Sequence, residues 1–405
     1  MKILLIAYAC DPQKGSEPQV GWKWLSEIAR HNNVWALIYA GQGQQESVSI
    51  TVNNLAFSKN IVVYYVQVPK FTENEMFFRL RYYFWLRNAF RKAKEIESNL
   101  KFDIIHLVSI SAWWFNAPFW KLTPKFIWGP ILGGQRFPSS GLVFLQMKSR
   151  AYEILRNISL VILPYLLLST RKAIKRSDLL IVGNKETGLL VKKIEKNVKT
   201  LELIAPGIST LPREKMRMHN SNKIIFLYSG LLIARKNFGF LLDVFKRLPY
   251  NMDWSLNVLG EGNMLNYWEK KAEDAGFEKR INFYGHINYN NMTAYYSDAD
   301  IFLFPSLREG SPAVIIEAMA NSLPVIAFRM NGADIMLNDK TGFLIDIFNR
   351  TQMINDYANA IIKLYENPVL RLEMSNNARK KAEGNFLWEK RGEEMNKIYQ
   401  QVLDS

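Results

Sequence analysis

Residues 301–328 read IFLFPSLREGSPAVIIEAMANSLPVIAF, and this stretch decides the fold of the second half of the chain. An apolar run leads into a polar loop, a helical stretch follows, and a second apolar run ends the segment. Continuous apolar runs are typical of strands that are buried on both faces of a parallel sheet. The segment therefore predicts a strand, helix, strand unit of a doubly wound α/β domain.

The same alternation of short apolar runs and longer helical stretches extends outward from this segment. It is interrupted by a polar stretch at 211–223, so each half of the chain predicts a parallel sheet of its own. The predicted fold class is α/β, with two Rossmann-like doubly wound domains that face each other across a cleft. The other runs that predict strands lie at 3–9, 34–40, 61–68, 103–109, 179–183, 224–230, 254–260 and 281–285.

The composition excludes several classes of protein. A chain of 405 residues with 48% hydrophobic and 22% charged residues is neither disordered nor of low complexity, and no apolar run approaches a membrane span. A single cysteine excludes a disulfide framework, and the four histidines, at 31, 106, 219 and 286, lack the spacing of metal ligands. We therefore expect no structural metal, and no cofactor is predicted for this chain. The opening MKILLIAYACDP predicts a buried strand rather than an export signal, so a cytoplasmic protein is expected.

The positive charge is concentrated in the first half. The net charge is +15 overall, with +14 in residues 1–205 and +1 in the remainder. The basic stretch 79–94 is interleaved with aromatic residues, and the stretch 148–176 places basic residues on both sides of an apolar run that is too short to span a bilayer. Such a distribution indicates an anionic partner. An anionic membrane surface, on the inner face of the cytoplasmic membrane, is the favoured interpretation, with nucleic acid as the alternative from another class.

Two carboxylates flank a predicted phosphate site in the loop and helix after residue 304. Gly310 permits a tight turn, Ser311 and Pro312 suit a helix start, and the exposed amides at such a start bind anions. Glu309 precedes this turn and Glu317 follows it in the helix. Carboxylates accept hydrogen bonds from vicinal hydroxyls, so one can hold a sugar ring and the other a ribose. The alternative is a pair of solvated charges.

Two adjacent cations follow the strand predicted at 224–230. Arg235 and Lys236 lie beyond the end of this strand, and both side chains suit a diphosphate whose charge grows as it departs. Exposed loop cations are the alternative. The pair Gly260 and Gly262 imitates a dinucleotide-binding turn, but Leu265 occupies the third glycine position.

These segments together resemble family 4 of retaining glycosyltransferases, a part of glycosyl transferases group 1 that has the GT-B fold and uses nucleotide diphosphate sugars. The resemblance covers essentially the whole chain. An N-terminal GSEPQVGW loop at 15–22 is similar to that of a bacterial branch. The other segments that carry the resemblance are EGSPAVIIEAMANSLPVIA (309–327), SGLLIARKN (229–237), LGEGNMLN (259–266) and INFYGHI (281–287).

The resemblance implies roles for individual residues. Glu309 would contact the donor sugar, Glu317 the ribose, and Lys236 with Arg235 the pyrophosphate. The family often has arginine at the position of Leu231, and Arg235 is the candidate to replace that charge. The other implied donor-side residues are Gly15, Gly230, His286, Ile287, Gly310, Ser311, Ala313 and Val314, and the acceptor-side residues are Glu17, Gly21, Gly133 and Gly134.

His106 is a further catalytic candidate, because it lies near the end of a predicted buried strand where it can face the cleft. The family's cleft histidine falls two residues later, at Val108, so a core histidine is an equal alternative for His106.

The predicted domains are 1–205 on the acceptor side, a linker at 206–222, the nucleotide-sugar domain at 223–384, and a last helix at 385–405 that packs back on the first domain. The expected activity is the transfer of a sugar, with its anomeric configuration retained, to an acceptor hydroxyl. The resemblance to a bacterial branch suggests surface polysaccharide or glycolipid synthesis. A GT-B epimerase or phosphorylase is the enzymatic alternative.

Overall fold

Helices and strands alternate along the chain in the computed structural model, which describes residues 1–41, 43–213, 223–330 and 332–405. The strands are β1 (Lys2–Ala7), β2 (Asn33–Tyr39), β3 (Ile61–Val66), β4 (Ile104–Ser109), β5 (Lys125–Ile131), β6 (Leu179–Val182), β7 (Thr200–Glu202), β8 (Ile224–Ser229), β9 (Trp254–Leu259), β10 (Ile281–Phe283), β11 (Ile301–Phe304), β12 (Val325–Phe328) and β13 (Gly342–Ile345). The helices are α1 (Glu17–Ala29), α2 (Gln44–Asn53), α3 (Phe78–Asn99), α4 (Met147–Leu166), α5 (Leu168–Arg176), α6 (Lys185–Ile194), α7 (Phe238–Phe245), α8 (Leu265–Asp274), α9 (Tyr289–Asp298), α10 (Ala313–Ala320), α11 (Ala333–Met336), α12 (Arg350–Glu366), α13 (Pro368–Asn385) and α14 (Trp388–Leu403).

The first of two compact units is built on a seven-stranded parallel sheet in the order β3-β2-β1-β4-β5-β6-β7. Alternate residues of β1 serve two different cores. Ile3 and Leu5 pack in the cluster that contains residues of α1 and α14, whereas Leu4 and Ile6 pack in the cluster that contains residues of α3. Because both faces of the sheet are covered, β1 needs apolar residues at every position from Ile3 to Ala7. The unit comprises Met1–Gly134, Leu160–Gly207 and Trp388–Ser405.

The last helix, α14, packs closely against α1 in this unit. The rings of Trp388 and Trp24 meet edge to face at 5.3 Å, and the Arg391 guanidinium lies 5.2 Å from the Trp24 ring centroid. Burial lowers the pKa of Arg391 to about 10, and its Nη2 donates to the carbonyl of Ile204. A β-carbon on Gly392 would come within 2.8 Å of the Glu27 β-carbon, so only glycine permits this helix spacing.

The second unit is built on a six-stranded parallel sheet in the order β10-β9-β8-β11-β12-β13 and comprises Gln135–Ser159 and Ile208–Leu387. Residues 135–159 thus belong to this unit, although the predicted boundary placed them in the first domain. The reason is packing, because Phe137 and Leu145 lie in the core cluster of the second unit. Residues 214–222 of the predicted linker lie outside the described residues.

Two glycines allow the loops at the carboxyl edge of the second sheet to pack closely against each other. A β-carbon on Gly260 would lie 2.1 Å from the Gly230 carbonyl oxygen, and one on Gly262 would lie 2.5 Å from that of Leu232. Both glycines have positive φ, at 141° and 156°. The backbone amide of Leu232 donates to the carbonyl of Glu261 at 2.8 Å. Close backbone packing therefore accounts for this glycine pair without a dinucleotide.

Candidate functional site

Three predicted groups meet at the carboxyl edge of the adjacent strands β8 and β11 of the second unit. Arg235 Nη1 lies 2.5 Å from Glu309 Oε1, and Lys236 Nζ lies 2.8 Å from the same oxygen. The hydroxyl of Ser306 donates to it at 2.9 Å. Within the described part of the chain, these contacts of the Glu309 carboxylate all end on Oε1.

Backbone contacts fix the loops that carry these groups. The amide of Leu307 donates to the carbonyl of Arg235 at 3.1 Å, and Arg235 Nη1 donates to the carbonyl of Arg308 at 2.8 Å. Asn237 has a left-handed conformation with φ of 57°, which ends the loop and begins α7. The cations and the carboxylate are therefore held by one interlocked pair of loops.

The ionisation of Glu309 follows from its neighbours. Burial alone would raise the pKa of Glu309, but the charges of Lys236 and Arg235 outweigh it and hold the pKa below its usual value. The side chains of Lys236 and Glu309 are only 11% and 12% exposed, so solvent screens their attraction weakly. The site thus contains a carboxylate anion beside two cations.

Glu317 lies on α10, eight residues beyond Glu309, and is held separately. The hydroxyl of Tyr296 donates to Glu317 Oε2 at 3.0 Å, while burial raises the pKa of the carboxyl group. Pro312 precedes the helix, and the predicted residues Ala313 and Val314 form its half-buried first turn. Gly310 and Ser311 lie in the partly exposed loop between Glu309 and the helix. The geometry therefore places Glu309 and Glu317 on either side of a helix start.

The predicted base-binding residues follow β10. His286 is exposed, with Nδ1 at 4.0 Å from Glu261 Oε1, and Ile287 is half-buried. The Gly285 carbonyl accepts a hydrogen bond from the amide of Gly260 at 2.7 Å, which joins this segment to the turn after β9. Gly230 has φ of 149°, and a β-carbon there would lie 3.4 Å from Lys236 Nζ, so glycine leaves the ammonium its space.

A pocket of about 910 Å³ lies beside this cluster and was not predicted from the sequence. Arg235 and Arg308 line it from the loops, and Lys148, Tyr152 and Glu153 line it from α4. Glu153 is the single acidic residue in the basic stretch 148–176. This isolated carboxylate is the one signal in the sequence that could have indicated the pocket.

The candidates on the acceptor side lie in the first unit. The carboxylate of Glu17, at the start of α1, accepts from the amide of Ser111 at 2.7 Å, and burial raises its pKa. A β-carbon on Gly21 would lie 1.9 Å from the Ala9 carbonyl oxygen, so the glycine allows α1 to approach the chain after β1. Gly15, a predicted donor-side residue, is exposed.

Gly133 and Gly134, the other predicted acceptor-side residues, are required by close packing. A β-carbon on Gly133 would come within 2.5 Å of the Trp114 ring, and one on Gly134 within 2.6 Å of the Thr187 α-carbon. The Gly134 amide donates to Thr187 Oγ1 at 3.1 Å. These contacts explain the glycines structurally, and their role towards an acceptor stays a prediction.

His106 lies in the core of the first unit. It is fully buried on β4, with Nε2 at 2.7 Å from the Gly129 carbonyl oxygen and Nδ1 at 2.7 Å from the Tyr399 hydroxyl. A carbonyl only accepts, so the proton is on Nε2 and the Tyr399 hydroxyl donates to Nδ1. The structure therefore favours the interpretation of His106 as a core histidine. His106 is not part of the catalytic group proposed below.

The burial of His106 predicts a pH-dependent stability. Desolvation lowers its pKa from 6.5 to about 4, so the unfolded chain takes up the proton first as the pH falls. The free energy of unfolding should therefore decrease by up to about 3 kcal/mol between pH 6.5 and pH 4 through this residue. Urea unfolding across this range should show a shallower decrease in His106→Gln, and the exposed control His31→Gln should match the wild type. Equal slopes in both variants would contradict the assignment.

Among the described residues, no three or more His, Cys, Asp or Glu side chains form a group that could hold a metal ion. Metal independence stays a prediction, for which an activity measurement with and without a chelator is the test.

Comparisons with known proteins agree with this architecture. An uncharacterised glycosyltransferase of Haemophilus influenzae is 31% identical over 179 residues, which are 44% of this chain and 48% of the relative. An Escherichia coli UDP-Gal:alpha-D-GlcNAc-diphosphoundecaprenol alpha-1,3-galactosyltransferase is 29% identical over 205 residues, 49% of this chain and 51% of the relative. The chain thus spans about half the length of the curated relatives it matches.

Solved structures match over nearly the full length. The sucrose-phosphate synthase of Thermosynechococcus elongatus has a TM-score of 0.65 at 18% identity, covering 100% of this chain and 99% of that one. A lipopolysaccharide outer core galactosyltransferase has a TM-score of 0.67 at 14% identity, covering 99% and 100%. At these identities the likeness shows the fold. Residues 213–381 match the family described as Glycosyl transferases group 1, and the likeness to the solved structures shows the GT-B fold.

Proposed function

We propose that this protein is a metal-independent, retaining glycosyltransferase of family 4 that moves a sugar from a nucleotide diphosphate sugar to an acceptor hydroxyl. The observation that carries the proposal is the convergence of Arg235 and Lys236 on Glu309 beside the start of α10. The match of residues 213–381 to Glycosyl transferases group 1 supports it.

The charges of this cluster suit the departure of a diphosphate. As the bond between the anomeric carbon and the diphosphate oxygen breaks, negative charge grows on the leaving group, and Lys236, Arg235 and the amides before α10 stabilise it. Glu309 Oε2 accepts hydrogen bonds from the sugar hydroxyls, and Glu317 accepts those of the ribose. The acceptor oxygen forms the new bond to the anomeric carbon, and its proton passes to a phosphate oxygen of the departing nucleoside diphosphate.

Thermal-shift measurements with UDP, GDP and ADP, and with their sugar derivatives, test the donor site. One nucleotide at about 100 times its Kd should stabilise the wild type by about 3 kcal/mol. Glu317→Ala removes the ribose acceptor and should weaken binding by about tenfold to a hundredfold, since a hydrogen bond to a charged group contributes about 1.5–3 kcal/mol. Glu269→Ala, an exposed glutamate on α8, is the matched control. An unchanged shift in Glu317→Ala would contradict the assignment of the ribose site.

Release of the nucleoside diphosphate separates transfer from its enzymatic alternative. A glycosyltransferase releases it mainly when an acceptor is present, whereas an epimerase or a phosphorylase does not require an acceptor hydroxyl.

The names of two relatives favour a lipid-linked acceptor. The E. coli relative acts on a diphosphoundecaprenol-linked sugar, and a Corynebacterium glutamicum relative, 25% identical over 212 residues, is a phosphatidylinositol monomannoside mannosyltransferase. These names support a role in the synthesis of surface polysaccharide or glycolipid.

A lipid-linked acceptor calls for contact with a membrane, and the two basic stretches supply different surfaces. On α3, the predicted cation Arg81 is buried, with Nε donating to the Tyr8 hydroxyl at 2.9 Å. Lys92 Nζ pairs with Glu95 at 2.5 Å. The exposed cations of this helix are Arg79, Arg87, Arg91 and Lys94.

Helix α4 presents an exposed apolar stripe, and exposed cations lie around it. Within residues 147–166 the buried positions recur at Glu153, Leu160 and Pro164, on the opposite side of the helix from the stripe. No single described helix is long and apolar enough to cross a membrane, and α4 with α5 meets those criteria only as a pair bent by 72°. The apolar stripe is Met147, Ala151, Ile154, Leu155, Ile158, Val161, Ile162, Tyr165 and Leu166, and the exposed cations are Lys148, Arg150, Arg171, Lys172, Lys175 and Arg176.

An apolar stripe with cations near both of its ends fits an anionic lipid bilayer. The stripe would enter the acyl boundary, and each basic residue near the surface would contribute about 1 kcal/mol. We therefore assign this surface to peripheral binding of an anionic membrane.

A further inference from the structure

A buried ion pair connects helix α4 to the loop that carries Glu309. Arg308 Nε donates to Glu153 Oε2 at 2.9 Å and Arg308 Nη2 to Glu153 Oε1 at 2.8 Å, so the guanidinium and the carboxylate meet through two parallel bonds. The side chains are 15% and 4% exposed. Such bidentate pairs fix the orientation of the groups as well as their distance.

The pair continues directly into the cluster around Glu309. The Arg308 carbonyl accepts from Arg235 Nη1 at 2.8 Å, and the same nitrogen lies 2.5 Å from Glu309 Oε1. Arg308 is also the chain neighbour of Glu309. A turn of the Arg308 backbone would therefore move both the carboxylate and the guanidinium that faces it.

Helix α4 is itself fastened to the second unit at the level of Glu153. Asn157 exchanges two hydrogen bonds with the backbone of Phe137, at 3.0 Å and 2.7 Å, and Arg156 Nη1 donates to the Gln135 carbonyl at 2.6 Å. These bonds hold this part of α4 in place. The helix can therefore position the loop that carries Arg308 and Glu309 through the ion pair of Glu153 with Arg308.

The electrostatics give Glu153 a second effect on the loop. Burial, with the charge of Arg308 second, lowers the pKa of Arg156 to about 10, so the charges of Arg156 and Arg308 lie close enough to interact. Without the Glu153 carboxylate, Arg308 would face the like charge of Arg156. The loop would then relax away from its position.

We propose that Glu153 is a positioning residue of the donor site, which holds Arg308 and through it sets the placement of Glu309 and Arg235. The proposal rests on the proposed glycosyltransferase function. A buried ion pair seldom adds stability over a neutral pair of the same shape, so the orientation of the loop is the effect to be expected of it.

The test replaces both charges together, by Glu153→Gln with Arg308→Gln, so that no buried charge is left alone. The probe is the nucleotide sugar selected by thermal shift from UDP-galactose, UDP-glucose and GDP-mannose, and the reaction is its hydrolysis with water as acceptor. We expect kcat to fall by at least about tenfold, equivalent to about 1.4 kcal/mol of barrier. The Kd of the free nucleoside diphosphate should change by less than kcat does, because the nucleotide contacts assigned to Lys236 and Glu317 remain and only that of Arg235 is displaced.

The matched control is Arg329→Gln with Asp346→Asn, which removes an exposed pair of the same unit whose Nε to Oδ1 distance is 2.8 Å. This control should keep both kcat and Kd. A wild-type kcat in the Glu153 and Arg308 double variant would overturn the proposal. So would a parallel loss of kcat, nucleotide binding and thermal stability, since that pattern indicates a structural role alone. Failure of the wild type to bind or hydrolyse any nucleotide sugar would instead contradict the proposed function.

Discussion

Replacement of Lys236 by methionine should reduce release of the nucleoside diphosphate by about 10³-fold while the protein stays folded. Methionine keeps the length and the apolar stem of the side chain but removes the ammonium, which lies 2.8 Å from Glu309 Oε1. In the proposed reaction that ammonium faces the departing diphosphate, where a preorganised charge acts mainly on the transition state. The loss should therefore appear in kcat more than in KM.

The same variant should shift the acidic limb of the pH profile. Lys236 is the largest of the influences that lower the pKa of Glu309, so its removal should raise that pKa. The Glu309 carboxylate would then be protonated at higher pH, and activity should decline earlier as the pH falls.

A coupled assay of nucleoside diphosphate release checks both results, with the exposed Lys270→Met on α8 as the matched control. The control should retain wild-type turnover and the wild-type pH profile. If Lys236→Met loses less than about tenfold, stabilisation of the leaving group must lie elsewhere.

Replacement of Leu155, Ile158 and Ile162 by glutamine should weaken binding to anionic vesicles by at least about a hundredfold. These side chains are 67%, 48% and 48% exposed, so the protein core does not depend on them. Each substitution removes about 1 kcal/mol or more of the favourable free energy of transfer into the acyl boundary. The three together should therefore reduce the free energy of vesicle binding by at least about 3 kcal/mol. Sedimentation with phosphatidylcholine vesicles, with and without phosphatidylserine, measures the change.

The exposed apolar residues Val369 and Leu372 of α13 provide a control for general loss of surface hydrophobicity, because they are 78% and 47% exposed. Their replacement by glutamine should leave vesicle binding unchanged.

Charge reversal at Arg87, Arg91 and Lys92 tests the predicted contribution of α3 to vesicle binding. Unchanged vesicle binding in the α4 variant would contradict the assigned surface. Salt-sensitive binding of RNA, unaffected by the α4 substitutions, would favour the nucleic-acid alternative.

The sequence alone determined the class of fold and the two loops of the candidate site. Strands buried on both faces need uninterrupted apolar runs, and β1 and β11 display that requirement in their own residues. Glu309 and the pair Arg235 and Lys236 each follow such a run, and carboxyl ends of neighbouring parallel strands lie at one edge of a sheet. An apolar run and the loop that follows it involve only neighbouring residues, so both can be predicted from the sequence.

The tertiary structure decided which distant groups meet. Glu153 and Arg308 are 155 residues apart in the chain, and nothing in either local sequence indicates the other. His106 had equal alternatives in the sequence because one of its hydrogen-bond partners, the Tyr399 hydroxyl, lies 293 residues further on. Secondary structure follows from periodicities of a few residues, whereas the partner of a buried charge or ring is set by long-range packing. For that reason the two loops of the candidate site could be predicted from the sequence, and the helix whose Glu153 pairs with Arg308 in one of them could not.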